Sequence, residues 1–280
     1  MKKLTLVWNR PKDKSWEPDW IEYLFRNIPH DTVENPNHDQ FYDNSIVIDT
    51  VRWADYHDQY CAELVNRGFN YAVIDLSDET RNSSTASYSA AAFVLRNYYR
   101  PGMEEHVLHI PLGYNTGFAA VTDNPPASKR TNTWAWVGQR WDETREQMKI
   151  AMLTVPNGDI HVAADESQRL TPSAMSKIYR NSIFVPAPHG WFVIDSFRVT
   201  EALEAGCIPI VEDSDYWQQL YGEQPPFITV NNWAQAPAII NSLLVDPIAL
   251  EQLRTTCYNW WRDTKDLVTQ QVEYLVKETL

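Results

Sequence analysis

Long apolar runs are missing from this chain, and no stretch approaches the ~18 residues that cross a bilayer. The N-terminal MKKLTLVWNRPKDK starts with lysines and an apolar run, but the run stops at Trp8. That is too short for the core of a secretory leader, so LTLVW reads as a first strand and the expected location is the cytoplasm. Cysteine is scarce: Cys61, Cys207 and Cys257 lie far apart, with neither a disulfide framework nor metal-ligand spacing. The 7 histidines show no paired spacing of the kind a zinc site needs. Basic charge is also in deficit, 24 Lys and Arg against 37 Asp and Glu, a net charge of −13. That balance argues against a broad nucleic-acid surface and leaves room only for a local basic crevice.

What is present is the composition of a soluble globular protein, 44% hydrophobic and 22% charged. Its 280 residues suffice for one large or two ordinary domains. There are 12 tryptophans; most belong in a core, and exposed ones suit stacking on the C–H face of a pyranose. Continuous apolar runs alternate with helical patterns: Leu4 to Trp8, a short one near Thr32 to Glu34, Ser45 to Asp49, Tyr71 to Leu76 and Val107 to Pro111 as strands. Helices are expected near Trp20 to Asn27 and Tyr56 to Asn66, and Ser89 to Asn97 reads equally as helix or strand. Such alternation predicts a doubly wound α/β sheet, whose ligands sit beyond the carboxyl ends of the strands. Asp78 and Glu79 follow the YAVIDL strand at such an end, so either could take a proton from an acceptor hydroxyl; Asp78 could equally cap a turn.

The segment TDNPPASKR, Thr122 to Arg130, has two prolines and no apolar periodicity and reads as a linker, which divides the chain into domains 1–125 and 126–280. The second domain opens with a strand, TWAWV, that leaves through Gly138, Gln139 and Arg140 into a helix from Asp142. A strand–Gly–helix entry lets backbone approach a phosphate, and Arg140 or Arg145 could meet its charge. Strand DIHVA and a helix opened by Thr171-Pro172 follow, and a helical C-terminus runs from Trp233 to Leu280.

The most informative stretch is YRNSIFVPAPHGWFVIDSFRVTEALEAGCIPIVEDSDY, Tyr179 to Tyr216. It reads as buried strand, loop, helix and buried strand, the right-handed crossover of a parallel sheet. Asp195 or Ser196 caps the helix, and Gly206 ends it in the left-handed conformation. The loop carries His189, and Arg198 and Glu201 share a helix face at i, i+3. A helix N-terminus with an arginine suits a diphosphate, and a carboxylate one turn deeper suits ribose hydroxyls. A plain surface ion pair is the competing reading. Asp213-Ser214-Asp215 spells D-x-D, two carboxylates that could share a divalent metal, but directly after a strand it reads better as strand end and helix cap.

The run SFRVTEALEAGCIPIV, preceded by a strand ending in Pro186, resembles the S-x-R-x-x-E-A-x-x-x-G-C-x-P-V motif of exostosin-like glycosyltransferases. Arg96-Asn97-Tyr98-Tyr99 and the following P-L-G-Y are similar to the middle of that family's N-terminal domain. The resemblance implies a GT-B fold: two Rossmann-like α/β domains facing a cleft, with the C-terminal helix crossing back. It implies transfer of a sugar, usually with inversion, from a nucleoside-diphosphate sugar, UDP-linked, to an acceptor hydroxyl on a glycan or other polymer. The expected site is Asp78 or Glu79 as base, Arg198 on the departing diphosphate, and Gly138, Arg140, Arg145, Pro186, His189, Ser196 and Glu201 around the donor. No metal and no further cofactor is expected, because arginine and helix dipole do the metal's work. Two alternatives stay open: a transferase acting on a hydroxylated base of phage-type DNA, and a non-catalytic nucleotide- or glycan-binding module.

Overall fold

A computed structural model of the chain describes residues 3–50, 54–76, 78–139 and 142–280. They form two units, one running to Leu112 and including Lys265–Leu280, the other Gly113–Thr264.

The first unit is built on a parallel sheet of strands β1 (Leu4–Trp8), β2 (His30–Glu34), β3 (Ser45–Thr50), β4 (Tyr71–Leu76), β5 (Val94–Arg96) and β6 (Val107–His109), in the order β2-β1-β3-β4-β5-β6. Its register explains its sequence. Val7, Val47, Val73, Val94 and Val107 pair across five successive strands as one valine rung. Helix α1 (Pro18–Leu24) lies between β1 and β2 in the chain, and helix α2 (Ala54–Asn66) packs Tyr60, Cys61 and Leu64 onto the valine rung. Burying each such side chain contributes roughly 1.5–3 kcal/mol. Gly68 ends α2 at φ 69°. Of the ambiguous stretch Ser89 to Asn97, only Val94–Arg96 is a strand. Sheet bonds decide it: the Ala92 amide donates to the Tyr71 carbonyl at 2.8 Å and the Val73 amide to that of Phe93 at 3.1 Å.

The second unit holds strands β7 (Asn132–Gly138), β8 (Gly158–Val162), β9 (Ser182–Pro186), β10 (Ile208–Glu212) and β11 (Ile228–Val230), parallel and ordered β11-β10-β9-β7-β8. Helices α3 (Glu143–Met152), α4 (Pro172–Arg180), α5 (Phe197–Glu204), α6 (Asp215–Tyr221) and α7 (Ala236–Leu244) connect and follow them. Asp142 caps α3 and Thr171 caps α4, each accepting a backbone N–H of the first turn. Gly206 follows α5 at φ 67°, the left-handed residue its sequence predicts. The Pro-rich stretch read as a linker is tethered inside this unit. Arg130 donates to the carbonyls of Ser182 (2.7 Å), Ala205 (3.1 Å) and Pro125 (3.0 Å) and to Asn124 Oδ1 (2.8 Å).

Helix α8 (Pro247–Thr279) has 33 residues; those to Thr264 belong to the second unit and those from Lys265 to the first. In the first unit Asp266 pairs with Arg26 at 2.9 Å, Glu273 accepts from Asn27 at 2.6 Å, and the Thr279 carbonyl accepts from Asn70 at 2.7 Å. Among the described residues no helix is long and apolar enough to cross a membrane.

Candidate functional site

The loop from β9 to α5 is set by its two ends. The Ala187 amide donates to the Ile210 carbonyl at 2.8 Å, so Pro186 stays sheathed in the sheet. At the other end Ser196 is the N-cap of α5, yet its hydroxyl makes no cap bond; its Oγ is buried without a partner. A buried hydroxyl left unpaired costs about 1–3 kcal/mol, so one at a helix N-terminus marks a place where an anion could be received.

Arg198 follows, half-buried. Its Nε donates to the Val137 carbonyl at 3.0 Å, and its guanidinium lies 5.7 Å from the Trp136 ring centroid. Among the described residues its Nη atoms have no hydrogen-bond partner, so the charge is held in place and still offered. Gly138 makes this possible: a Cβ there would stand 2.7 Å from Arg198 Nη2 and 2.8 Å from the Trp136 ring. Glu201 lies one turn on and is buried. Its Oε1 accepts from the Asn115 amide (3.2 Å) and from Asn115 Nδ2 (2.7 Å). Burial raises its pKa, while the Asn115 bonds and the Arg198 charge oppose the rise. Asn115 is held in turn by its neighbour Gly113, whose carbonyl accepts from Thr200 of α5.

Arg145 has a different part from the one its sequence position predicts. It is fully buried and its guanidinium donates to the carbonyls of Gln139 (2.9 Å) and His189 (3.0 Å). It ties the exit of β7 to the β9–α5 loop instead of presenting charge outward. His189 itself is fixed twice: its amide donates to Glu212 Oε2 at 2.9 Å, and its Nδ1 lies 2.7 Å from the Gly190 carbonyl. A carbonyl only accepts, so Nδ1 carries the proton. Glu212, at the carboxyl end of β10, also accepts from Trp233 Nε1 at 3.2 Å. The sequence reading passed over it; its signal was the first acidic residue closing the apolar IPIV strand. Ser214 caps α6, accepting the Tyr216 amide at 3.2 Å, which accounts for the D-x-D spelling. Arg140 lies outside the described residues.

In the first unit, Asp78 does not stand ready as a base. Its Oδ2 pairs with Arg96, and its Oδ1 accepts the amides of Asn82 (3.0 Å) and Ser83 (3.2 Å). That is the turn-organising role, with a buried arginine added. Glu79 is half-buried in the same turn. Sequence reading missed what lies beside them. Two residues beyond the valine rung the same face turns polar: Asp49 pairs with Asp75, Asp75 with Arg96, and Arg96 with His109. Asn9 adjoins this rung, its amide donating to the Ile48 carbonyl at 3.2 Å. Arg96 donates to Asp75 and Asp78 and, at 2.9 Å, to the Tyr88 oxygen, and the Tyr88 hydroxyl donates to Asp75. Burial pushes Asp49 and Asp75 each up to about 6, and His109 down to about 4 with Arg96 adding to the effect. The legible signal was an aspartate near the end of each of two apolar strands, SIVIDT and YAVIDL.

Two parallel-sheet α/β units followed by a helical C-terminus make the GT-B architecture, and solved glycosyltransferases of that type share it. HepE from Anabaena, solved with UDP and glucose, is 10% identical, with a TM-score of 0.65 over 99% of this chain and 100% of that one. An alpha-glucosyltransferase solved with UDP-glucose and DNA containing an abasic site is 10% identical, with a TM-score of 0.59 over 95% and 98%. An alpha1,3-fucosyltransferase is 10% identical, with a TM-score of 0.56 over 96% and 90%. No protein-family model and no curated protein matches the chain.

Proposed function

We propose that this protein is a glycosyltransferase that moves a sugar from a nucleoside-diphosphate sugar, UDP-linked, to an acceptor hydroxyl on a glycan or other polymer, with inversion. One observation carries the reading: among the described residues Arg198 hydrogen-bonds through Nε alone, on the same α5 N-terminus as a Ser196 hydroxyl without a partner, at the carboxyl end of a parallel sheet. Cation, hydroxyl and helix dipole there suit a diphosphate whose charge grows as the sugar leaves. Glu201, oriented by Asn115, takes ribose hydroxyls through its second oxygen. Gly138 keeps the space open, Arg145 and Glu212 shape the loop that carries His189, and backbone near Pro186 meets the base. A first-unit carboxylate receives the acceptor's proton. The likeness to structures solved with UDP or UDP-glucose supports the choice of uridine. The exostosin-like kinship rests on the motif from Ser196 to Val211. Arginine and helix dipole neutralise the leaving group, so transfer proceeds without metal; loss of activity in EDTA, restored by manganese, would contradict this.

The test is a panel of nucleotide sugars, read by slow release of nucleoside diphosphate. Arg198→Ala is expected to lower turnover at least ~100-fold, the scale for removing one charge-stabilising donor. Unchanged turnover in a folded variant would remove the site. Nucleotide binding without any release in the wild type would favour the non-catalytic module instead. A DNA acceptor is favoured only by the likeness to the glucosyltransferase solved with DNA, and the −13 charge opposes it. Duplex affinity falling steeply with salt would revive it.

A further inference from the structure

The first unit has its own concentration of chemistry, the polar rung at the carboxyl ends of β1, β3 and β4. Ligands of parallel sheets bind at such ends. Three residues there are more than nine-tenths buried, Asn9 at 5%, Asp49 at 7% and Asp75 at 4% exposure. Among the described residues each carries an oxygen without a hydrogen-bond partner: Asn9 Oδ1, Asp49 Oδ1 and Asp75 Oδ1. Register places Asp49 and Asp75 side by side on one face, the face that α2 covers lower down. From α2, His57 Nδ1 comes within 3.3 Å of Asn9 Nδ2 and 3.7 Å of Asp49 Oδ2.

The two carboxylates differ in what already holds them. Asp75 is pinned by Arg96 and Tyr88 through Oδ2. Asp78 is fully committed to Arg96 and its turn. Among the described residues the one cationic candidate paired with Asp49 is His57, and burial drives that ring toward its neutral form. The charges facing Asp49 are therefore Asp75 and Asp78 across the sheet and Asp58 on α2, with Arg96 offsetting part of them. Unpartnered acceptors in a negative setting repel an anion and call for a donor. Among the described residues no three such side chains converge to hold a metal. A neutral hydroxyl fits both facts.

We propose that the polar rung of the first unit binds a neutral, polyhydroxylated ligand, with Asp49 as the carboxylate that accepts its hydroxyl. This rests on the transferase reading only for what happens next. There the ligand is the acceptor, and Asp49, in place of Asp78 or Glu79, receives the hydroxyl's proton. The freed oxygen bonds to the donor's anomeric carbon, and the diphosphate leaves with the electrons of the broken C–O bond.

The test uses the whole chain as wild type, Asp49→Asn and Glu79→Gln. Three readouts are taken: saturation-transfer NMR with a panel of methyl glycosides, UDP affinity by calorimetry, and release of UDP from UDP-sugars. Asp49→Asn is expected to weaken glycoside contact at least tenfold, to lower UDP release about 100-fold and to leave UDP affinity unchanged. Its melting temperature at neutral pH should rise, because a neutral isostere replaces a buried charge; a merely structural carboxylate would give a lower one. Unchanged glycoside contact, or no contact in the wild type, would overturn the proposal. So would release kept in Asp49→Asn and lost in Glu79→Gln, which would return the proton to Glu79. Asp49-dependent glycoside contact in a chain that binds no nucleotide would sink the transferase reading and leave this site standing.

Discussion

Two glycine and aspartate positions show how much a single residue decides here. Gly138 leaves just enough room for Arg198, with a hypothetical Cβ 2.8 Å from the Trp136 ring, itself only 1% exposed. The arginine could swing aside; the packed indole could not. Gly138→Ala is therefore expected to lower stability by about 1–3 kcal/mol in urea denaturation, the scale of overpacking, and in the folded fraction to weaken nucleotide affinity about tenfold, ~1.4 kcal/mol, measurable by calorimetry. Asp49 makes a prediction about pH. Its folded pKa is raised from 3.8 to about 6, chiefly by burial. The folded chain thus keeps a proton that the unfolded chain has already lost. The stability this contributes is full below the unfolded value and is lost as pH rises through the folded one. Urea denaturation of Asp49→Asn and wild type should agree near pH 4, and the variant should be more stable by about 2–3 kcal/mol at pH 7.5. At this scale the sequence singled out Arg198, Ser196 and Glu201 as candidates, because motif and spacing are local. It did not show that Arg145 meets two carbonyls or that Asp78 pairs with Arg96, because whether a charge faces outward or is held within is settled by residues far along the chain.

Among the elements, the crossover β9–α5–β10 was legible before any coordinates. Its strands are continuous apolar runs, its helix has an apolar stripe, and its stop signal is a glycine. Gly206 does more than stop the helix. It sits at φ 67°, and a Cβ there would stand 2.1 Å from Asn124 Oδ1. Asn124 also accepts from Arg130 at 2.8 Å and from Arg254 at 2.9 Å. Gly206→Ala strains the backbone and displaces this junction at once, and it should lower stability by at least ~1 kcal/mol in guanidinium unfolding. The polar rung, by contrast, is invisible in any one strand. Asp49 and Asp75 lie 26 positions apart, and only the parallel register of β3 on β4 makes them neighbours.

Over the whole molecule, helix α8 ties its last residues to the first unit. Val268 and Val272 are buried there, alongside the bonds of Asp266, Glu273 and Thr279. Ending the chain after Thr264 should destabilise the first unit by at least ~3 kcal/mol, the burial of two valines alone, in a denaturant titration against the full chain. What the sequence determined by itself was the class: continuous apolar runs alternating with helix-period segments, each written within one element, dictate parallel α/β sheets and their order along the chain. What only tertiary structure decided was the commitment of individual charges. Hydrogen bonding and burial depend on which strands lie side by side. Arg145 was thereby turned inward to two carbonyls, Asp78 was bound to Arg96, and Asp49 kept an oxygen with nothing to hold.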